Sequence, residues 1–124
     1  MTTRSAGARY EDVALAHLQQ AGLVLLARNY SCRYGELDLV MSDRDVVVFA
    51  EVRYRRGAAA RGGFGDGVDS ISAAKRGKLV RAAQVFLAER PALSRRACRF
   101  DVLAIADGDA RPSIDWRRNA FDAS

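Results

Sequence analysis

Glu36, Asp38 and Glu51 are the residues of this chain best placed to do chemistry together. They lie in two apolar runs, 35–41 and 46–53, separated by the polar step Ser42-Asp43-Arg44-Asp45, a pattern that predicts a β-hairpin. Strand side chains alternate between faces. On that alternation Glu36, Asp38 and Val40 share one face of the first strand, and Leu37, Leu39 and Met41 share the other. Val47, Phe49, Glu51 and Arg53 share a face of the second strand. A turn closed tightly around Asp43-Arg44 sets Glu36 opposite Glu51, with Asp38 diagonal to it. A register two residues away sets Asp38 opposite Glu51. Either register gathers three carboxylates on one patch of sheet. Cross-strand neighbours lie ~5 Å apart, where like charges destabilise the pairing. A hard divalent cation with oxygen ligands resolves that conflict, and Mg²⁺ commonly takes one or two carboxylates plus waters and phosphate oxygens. The competing reading is a salt-bridge cluster in which Arg53 and other arginines neutralise the acids.

The elements that must position these acids are legible in the same way. Residues 6–21 read as a helix ending at Gly22, with Tyr10, Val13, Ala14, Leu18 and Ala21 as its apolar stripe. Glu11 sits beside that stripe, and Asp12 points further towards solvent. A strand is predicted over Leu23 to Arg28. Ser70 or Ser72 caps a second helix that runs to about Glu89 and stops before Pro91. Leu79, Val80, Ala83, Phe86 and Leu87 form its buried face. Lys75, Lys78 and Arg81, spaced by three, form a cationic row along another side. Arg99 to Ala106 reads as a strong strand, and Ser113 to Arg117 as a short edge strand. Trp116 reads as a core or edge anchor, and Phe121 as folding back. Between the hairpin and the second helix, residues 57–69 carry a run of glycines without the spacing of a phosphate-cradling motif. That segment is expected to be a mobile flap over the carboxylates or a plain connector. The order of elements predicts an α/β fold, a mixed sheet of four to five strands flanked by helices.

Size and composition bound the function classes. The 124 residues suffice for one domain, here 1–124, with a proper core. A formal net charge of +5 is carried almost wholly by arginine, since Lys75 and Lys78 are the only lysines. An arginine-rich surface suits bidentate phosphate contacts and a nucleic-acid partner. With one histidine, His17, and with Cys32 and Cys98 far apart, no zinc-ligand set exists. Both cysteines are expected as buried thiols. No apolar run approaches the ~20 residues of a membrane span. Nor does the N-terminal sequence read as a signal peptide, so a cytoplasmic protein is expected.

Gly-Glu-Leu-Asp-Leu-Val at 35–40 and Val-Phe-Ala-Glu-Val-Arg-Tyr-Arg at 48–55 closely resemble the YraN-type family of small uncharacterised bacterial proteins. The resemblance extends to Gly7, Glu11 and Ala14, to Lys75 and its helix, to Cys98-Arg-Phe-Asp-Val-Leu at 98–103 and to Asn119-Ala-Phe. That family is similar to the PD-(D/E)XK nuclease superfamily, particularly Holliday junction resolvases, which implies a restriction-endonuclease-like fold. The resemblance implies that Asp38 and Glu51 are metal-binding acids, that Arg53 takes the place of the motif lysine, and that Glu11 matches a first-helix glutamate. Glu36 is an extra acid of the YraN pattern. Leu37 replaces the proline usual before the first acid. The chemistry so implied is phosphodiester hydrolysis assisted by Mg²⁺ or Mn²⁺, with Asp38, Glu51 and the Val52 carbonyl holding the ion and Glu36 or Glu11 contributing through water. Arginine stays protonated at ordinary pH, so Arg53 can stabilise developing charge but is a poor base. Arg55, Arg56, Lys75, Lys78 and Arg81 are expected along the phosphates of a nucleic acid, DNA rather than RNA. A homodimer would place two sites across a junction. A non-catalytic nucleic-acid-binding module and a protein-interaction domain are the other two readings.

Overall fold

A computed structural model describes residues 6–55, 71–107 and 111–122. In chain order the elements are α1 (Ala6–Gln20), β1 (Val24–Cys32), β2 (Gly35–Asp43), β3 (Val46–Arg55), α2 (Ala73–Ala88), α3 (Pro91–Ser94), β4 (Cys98–Ala106) and β5 (Ser113–Phe121). The five strands form one sheet in the order β1-β2-β3-β4-β5. β3 and β4 pair in parallel and every other neighbouring pair is antiparallel. This is the mixed α/β sheet expected, in a restriction-endonuclease-like arrangement. Among the described residues no helix is long and apolar enough to cross a membrane.

Each face of the sheet carries one long helix. On one side Tyr10, Ala14 and Leu18 of α1 pack on Leu39, Met41, Val48, Ala50, Leu103 and Ile105. On the other, Leu79, Ala82, Ala83 and Phe86 of α2 pack on Val40, Val47, Phe49 and Phe100. Strands covered on both faces lose the polar alternation of a half-exposed strand. Hence β4 reads Phe-Asp-Val-Leu-Ala-Ile-Ala and is buried throughout from Phe100 to Ala106. Phe86 is fully buried and meets Tyr30 and Phe49 edge-on at 5.2 and 6.0 Å between ring centres. Phe49 stacks on Phe100, which stacks on Phe121. This aromatic row fixes α2, and with it the lysines of its first turns.

Local chemistry sets the helix ends. After α1 the chain turns through Gly22 at φ +99°, a left-handed conformation that costs glycine little. The Leu23 N–H donates to the Leu18 carbonyl and the Gly22 N–H to that of Gln19, while both leucines enter the same core. Of the predicted α1 stripe, Ala21 is exposed because it lies in this turn. Ser72 caps α2, its hydroxyl accepting from the Lys75 N–H at 3.1 Å. Ser70 lies outside the described residues, as do Arg56 and the glycine-rich segment 57–69.

Several expectations need correction. The β2–β3 turn is centred on Arg44-Asp45, not Asp43-Arg44, because Arg44 takes the left-handed conformation at φ 57°. Its pairs run from Asp43↔Val46 to Leu39↔Ala50, the register that brings Asp38, not Glu36, beside Glu51. Leu37 does not face with Leu39: it packs in the α2-side core. Cys98 is exposed and Cys32 half-buried, since both sit at strand ends where cover is incomplete. β5 continues past Arg117 to Phe121 through an irregularity opposite Asp101. The Asp101 carboxylate fills that irregularity, accepting from the Asn119 N–H at 2.9 Å, from Trp116 Nε1 at 3.0 Å and from Arg99 Nε.

Candidate metal centre

The reversal at Leu37 is what aims Asp38. Across the β1–β2 ladder, Arg28 pairs with Leu39 and Tyr30 with Leu37. Leu39 packs on the α1 side, and Tyr30 and Leu37 on the α2 side. Arg28 reaches α1, donating to the Ala8 carbonyl at 3.1 Å and pairing with Asp12 at 2.7 Å. Two strands therefore exchange faces at one point, between Arg28 and Tyr30 and between Leu39 and Leu37. The residue at that point on β1 is Asn29, at φ 55°, a conformation asparagine tolerates better than most residues. On β2 it is Asp38. Its carboxylate turns into the seam where the β2–β3 pairing ends, and Asp38 Oδ2 accepts the Val52 N–H at 2.9 Å.

Four acids meet there. Glu51 extends from β3 on the α2 side, is 8% exposed and lies close enough to Asp38 for its charge to act on it. Glu36 stands at the start of β2, where the Ser31 hydroxyl donates to it at 3.4 Å. Glu11 arrives from α1. One carboxylate oxygen each of Glu11, Glu36 and Asp38 lies within 4.8 Å of the other two. Beneath Asp38 and Glu51 is a gap of only about 10 Å³, lined by Leu37, Phe49, Leu79, Phe100 and Phe121. That floor is too small and apolar to hydrate a carboxylate.

The electrostatics follow. Burial raises the pKa of Asp38 to about 7, and the charge of Glu51 adds to the shift, against the opposing Val52 hydrogen bond. Burial also raises Glu11, as does the Asp38 charge, while Arg28 at 3.5 Å and a hydrogen bond with Asn29 oppose it. Glu51 is paired with the Lys75 ammonium at 3.3 Å. Some of the charge is thus met by basic partners, as the salt-bridge reading expects. The remaining crowding is what a cation would relieve. The donor set is all carboxylate oxygen, which fits a hard ion such as Mg²⁺ or Mn²⁺ and not zinc or copper.

The other predicted residues distribute around this centre. Arg53 is half-buried two residues past Glu51, opposite Ala104 of β4. Val52 sits at the seam, its N–H committed to Asp38. The backbone of Arg55 ends β3 opposite Ala106. Lys75, Lys78 and Arg81 are exposed along α2. Lys75 and Lys78 line a cleft of about 50 Å³ together with Tyr34, Gly35, Glu36 and Leu79. Arg33 and Arg81 flank the Tyr34 ring at 4.9 and 6.0 Å. Sequence reasoning did not single out Asn29, Tyr34 or the pairing of Lys75 with Glu51. Only Asn29 left a trace, as a left-handed-tolerant residue directly after the predicted strand 23–28, which the structure extends to Cys32.

Comparison with known proteins identifies the family of the chain. Residues 10–105 match the model of a family described as uncharacterised protein family UPF0102. A UPF0102 protein of Pseudomonas aeruginosa is 46% identical over 124 residues, spanning 98% of this chain and 96% of that one. One from Ectopseudomonas mendocina is 51% identical over 118 residues, 94% of each chain, and one from Pseudomonas fluorescens is 50% identical over 124 residues, 98% of this chain and 97% of the other. With its seam-centred acids and near full-length likeness to these relatives, the chain belongs to the uncharacterised UPF0102 family, the YraN-type group.

Proposed function

We propose that this protein is a Mg²⁺- or Mn²⁺-dependent nuclease that hydrolyses phosphodiester bonds in DNA, with branched or otherwise structured DNA as its substrate. The observation that carries the reading is the convergence of Glu11, Glu36 and Asp38 to within 4.8 Å, with the buried Glu51 close beside Asp38. Asp38 and Glu51 would hold the ion, with Glu36 and Glu11 completing its surroundings directly or through water. The ion would polarise the phosphate and lower the pKa of a water. Arg53, permanently charged, stabilises negative charge that builds on the phosphate oxygens. Lys78 and Arg81 continue the cationic row of Lys75 along α2, where backbone phosphates would lie. DNA is preferred to RNA on the likeness to junction-cleaving nucleases alone.

A second reading, a nuclease-fold module that binds nucleic acid without cutting it, is favoured by one observation. Position 53 carries an arginine, which cannot exchange a proton at neutral pH. A cleavage screen decides between them. Single-stranded, duplex, flapped and four-way DNA are incubated with Mg²⁺ or Mn²⁺ and wild-type, Asp38→Asn or Glu51→Gln protein. Cutting that both substitutions abolish without unfolding the protein supports the nuclease. Salt-sensitive binding with no cutting across the panel supports the module.

A further inference from the structure

Glu51 has two claimants. Its neighbour Asp38 converges with Glu11 and Glu36 on one point, yet Glu51 Oε2 is held by Lys75 Nζ at 3.3 Å. The pair is asymmetric: the Glu51 side chain is 9% exposed and that of Lys75 is 46% exposed. A buried carboxylate beside others needs a counter-charge, whereas a half-exposed ammonium on a four-carbon stem can swing. The base of that stem is fixed, because Lys75 is in the first turn of α2 and its N–H is tied to Ser72. The same ammonium borders the cleft that holds Glu36, Lys78 and Tyr34.

We propose that Lys75 is a resident counter-cation which the metal displaces from Glu51, and which then grips a DNA phosphate, so that firm DNA binding waits on metal loading. The assignment rests on the metal-centre reading above. Lys75 acts here as a positioning residue, holding Glu51 in the empty centre and the phosphate in the loaded one. A cation beside the centre repels a divalent ion, so removing its charge strengthens metal binding while weakening DNA binding. An ordinary surface salt bridge would have no such opposed effects.

The test compares wild type, Lys75→Met, Lys75→Arg and Asp38→Asn. Folding is checked by thermal melt and Mn²⁺ affinity by calorimetry. Binding of an uncut four-way DNA is measured in EDTA and in Ca²⁺. Lys75→Met is expected to bind Mn²⁺ roughly tenfold more tightly, from a monovalent–divalent repulsion at a few ångströms through a high effective dielectric. The gain in DNA affinity that Ca²⁺ gives wild type should largely vanish in Lys75→Met and persist in Lys75→Arg. Unchanged or weaker Mn²⁺ binding in Lys75→Met overturns the assignment. So does an equal loss of DNA affinity with and without Ca²⁺, which would make Lys75 a permanent phosphate contact. Wild type that binds no Mn²⁺, or Asp38→Asn that binds it equally, overturns both this assignment and the centre itself. Mn²⁺ binding that tightens in Lys75→Met, with the metal-dependent DNA gain lost but no DNA cut by any variant, removes the nuclease reading and leaves the exchange standing.

Discussion

Asp38→Asn should make the metal-free protein more stable at pH 8, although it removes a residue at the heart of the proposed centre. The folded state raises the pKa of Asp38 from 3.8 to about 7. A raised carboxylate favours folding fully below its unfolded pKa, and that contribution is lost as pH climbs through the folded one. Between pH 4 and pH 7 the native protein therefore loses stability through this group. At 1.36 kcal/mol per pKa unit the ceiling is about 4 kcal/mol. The neighbouring acids can relax when Asp38 is charged, so about 1–2 kcal/mol of that ceiling is the expected relief. The asparagine carbonyl can still accept the Val52 N–H. For a chain of this length that corresponds to a Tm rise of about 4–8 °C. The assay is thermal unfolding in EDTA from pH 4.5 to 8.5, in parallel with saturating Mn²⁺. Wild type and variant should converge near pH 4.5 and diverge above pH 6. Mn²⁺ should stabilise wild type and do little for the variant. A variant less stable than wild type at pH 8 without metal would refute the argument, because Asp38 would then be held by favourable contacts and not crowded by its neighbours.

Asp101→Ala should cost about 3–5 kcal/mol in urea unfolding, since it removes a fully buried acceptor shared by Arg99 Nε, Trp116 Nε1 and the Asn119 N–H, leaving Arg99 to its other partner Asp43. Gly22→Ala should lower stability by about 1 kcal/mol through its φ of +99° alone, because nothing crowds an added methyl there. If the cationic row of α2 tracks phosphates, Lys78→Ala and Arg81→Ala should each weaken DNA binding across sequences and reduce the salt-dependence slope by about 1; an unchanged slope would remove that residue from the interface.

Much of the fold was legible because its rules are local. Ser72 and Pro91 bracket α2, Gly22 ends α1, and the apolar runs of β3 and β4 announce strands covered on both faces. Alternation grouped Glu36, Asp38 and Glu51, and the register that the structure adopts was one of the two weighed, whereas the closest cluster takes in Glu11 with Glu36 and Asp38. What stayed hidden depends on tertiary context. Alternation alone places Leu37 with Leu39, and only the face exchange at Asn29 and Asp38 separates them. The extension of β5 to Phe121 depends on Asp101 filling a gap opposite Asn119, a long-range contact with no local signature. Lys75 looked like one member of a charge row until α2 was seated on the sheet, when it alone met Glu51.

Tyr10 stacks on Tyr54 at 4.0 Å, and both hydroxyls donate to the Asp107 carboxylate, at 2.6 and 2.8 Å. This clasp joins the residue beside Glu11 to the far ends of both central strands, across 97 positions of chain. It has a consequence during synthesis. Translation must pass Asp107 before the first helix can be fastened, so an emerging polypeptide carries Glu36, Asp38 and Glu51 well before Glu11 is clamped beside them. Long-range closure of this kind is slow relative to local folding. The placing of Glu11 beside the other acids is thereby expected to be among the last parts of the molecule to be fixed.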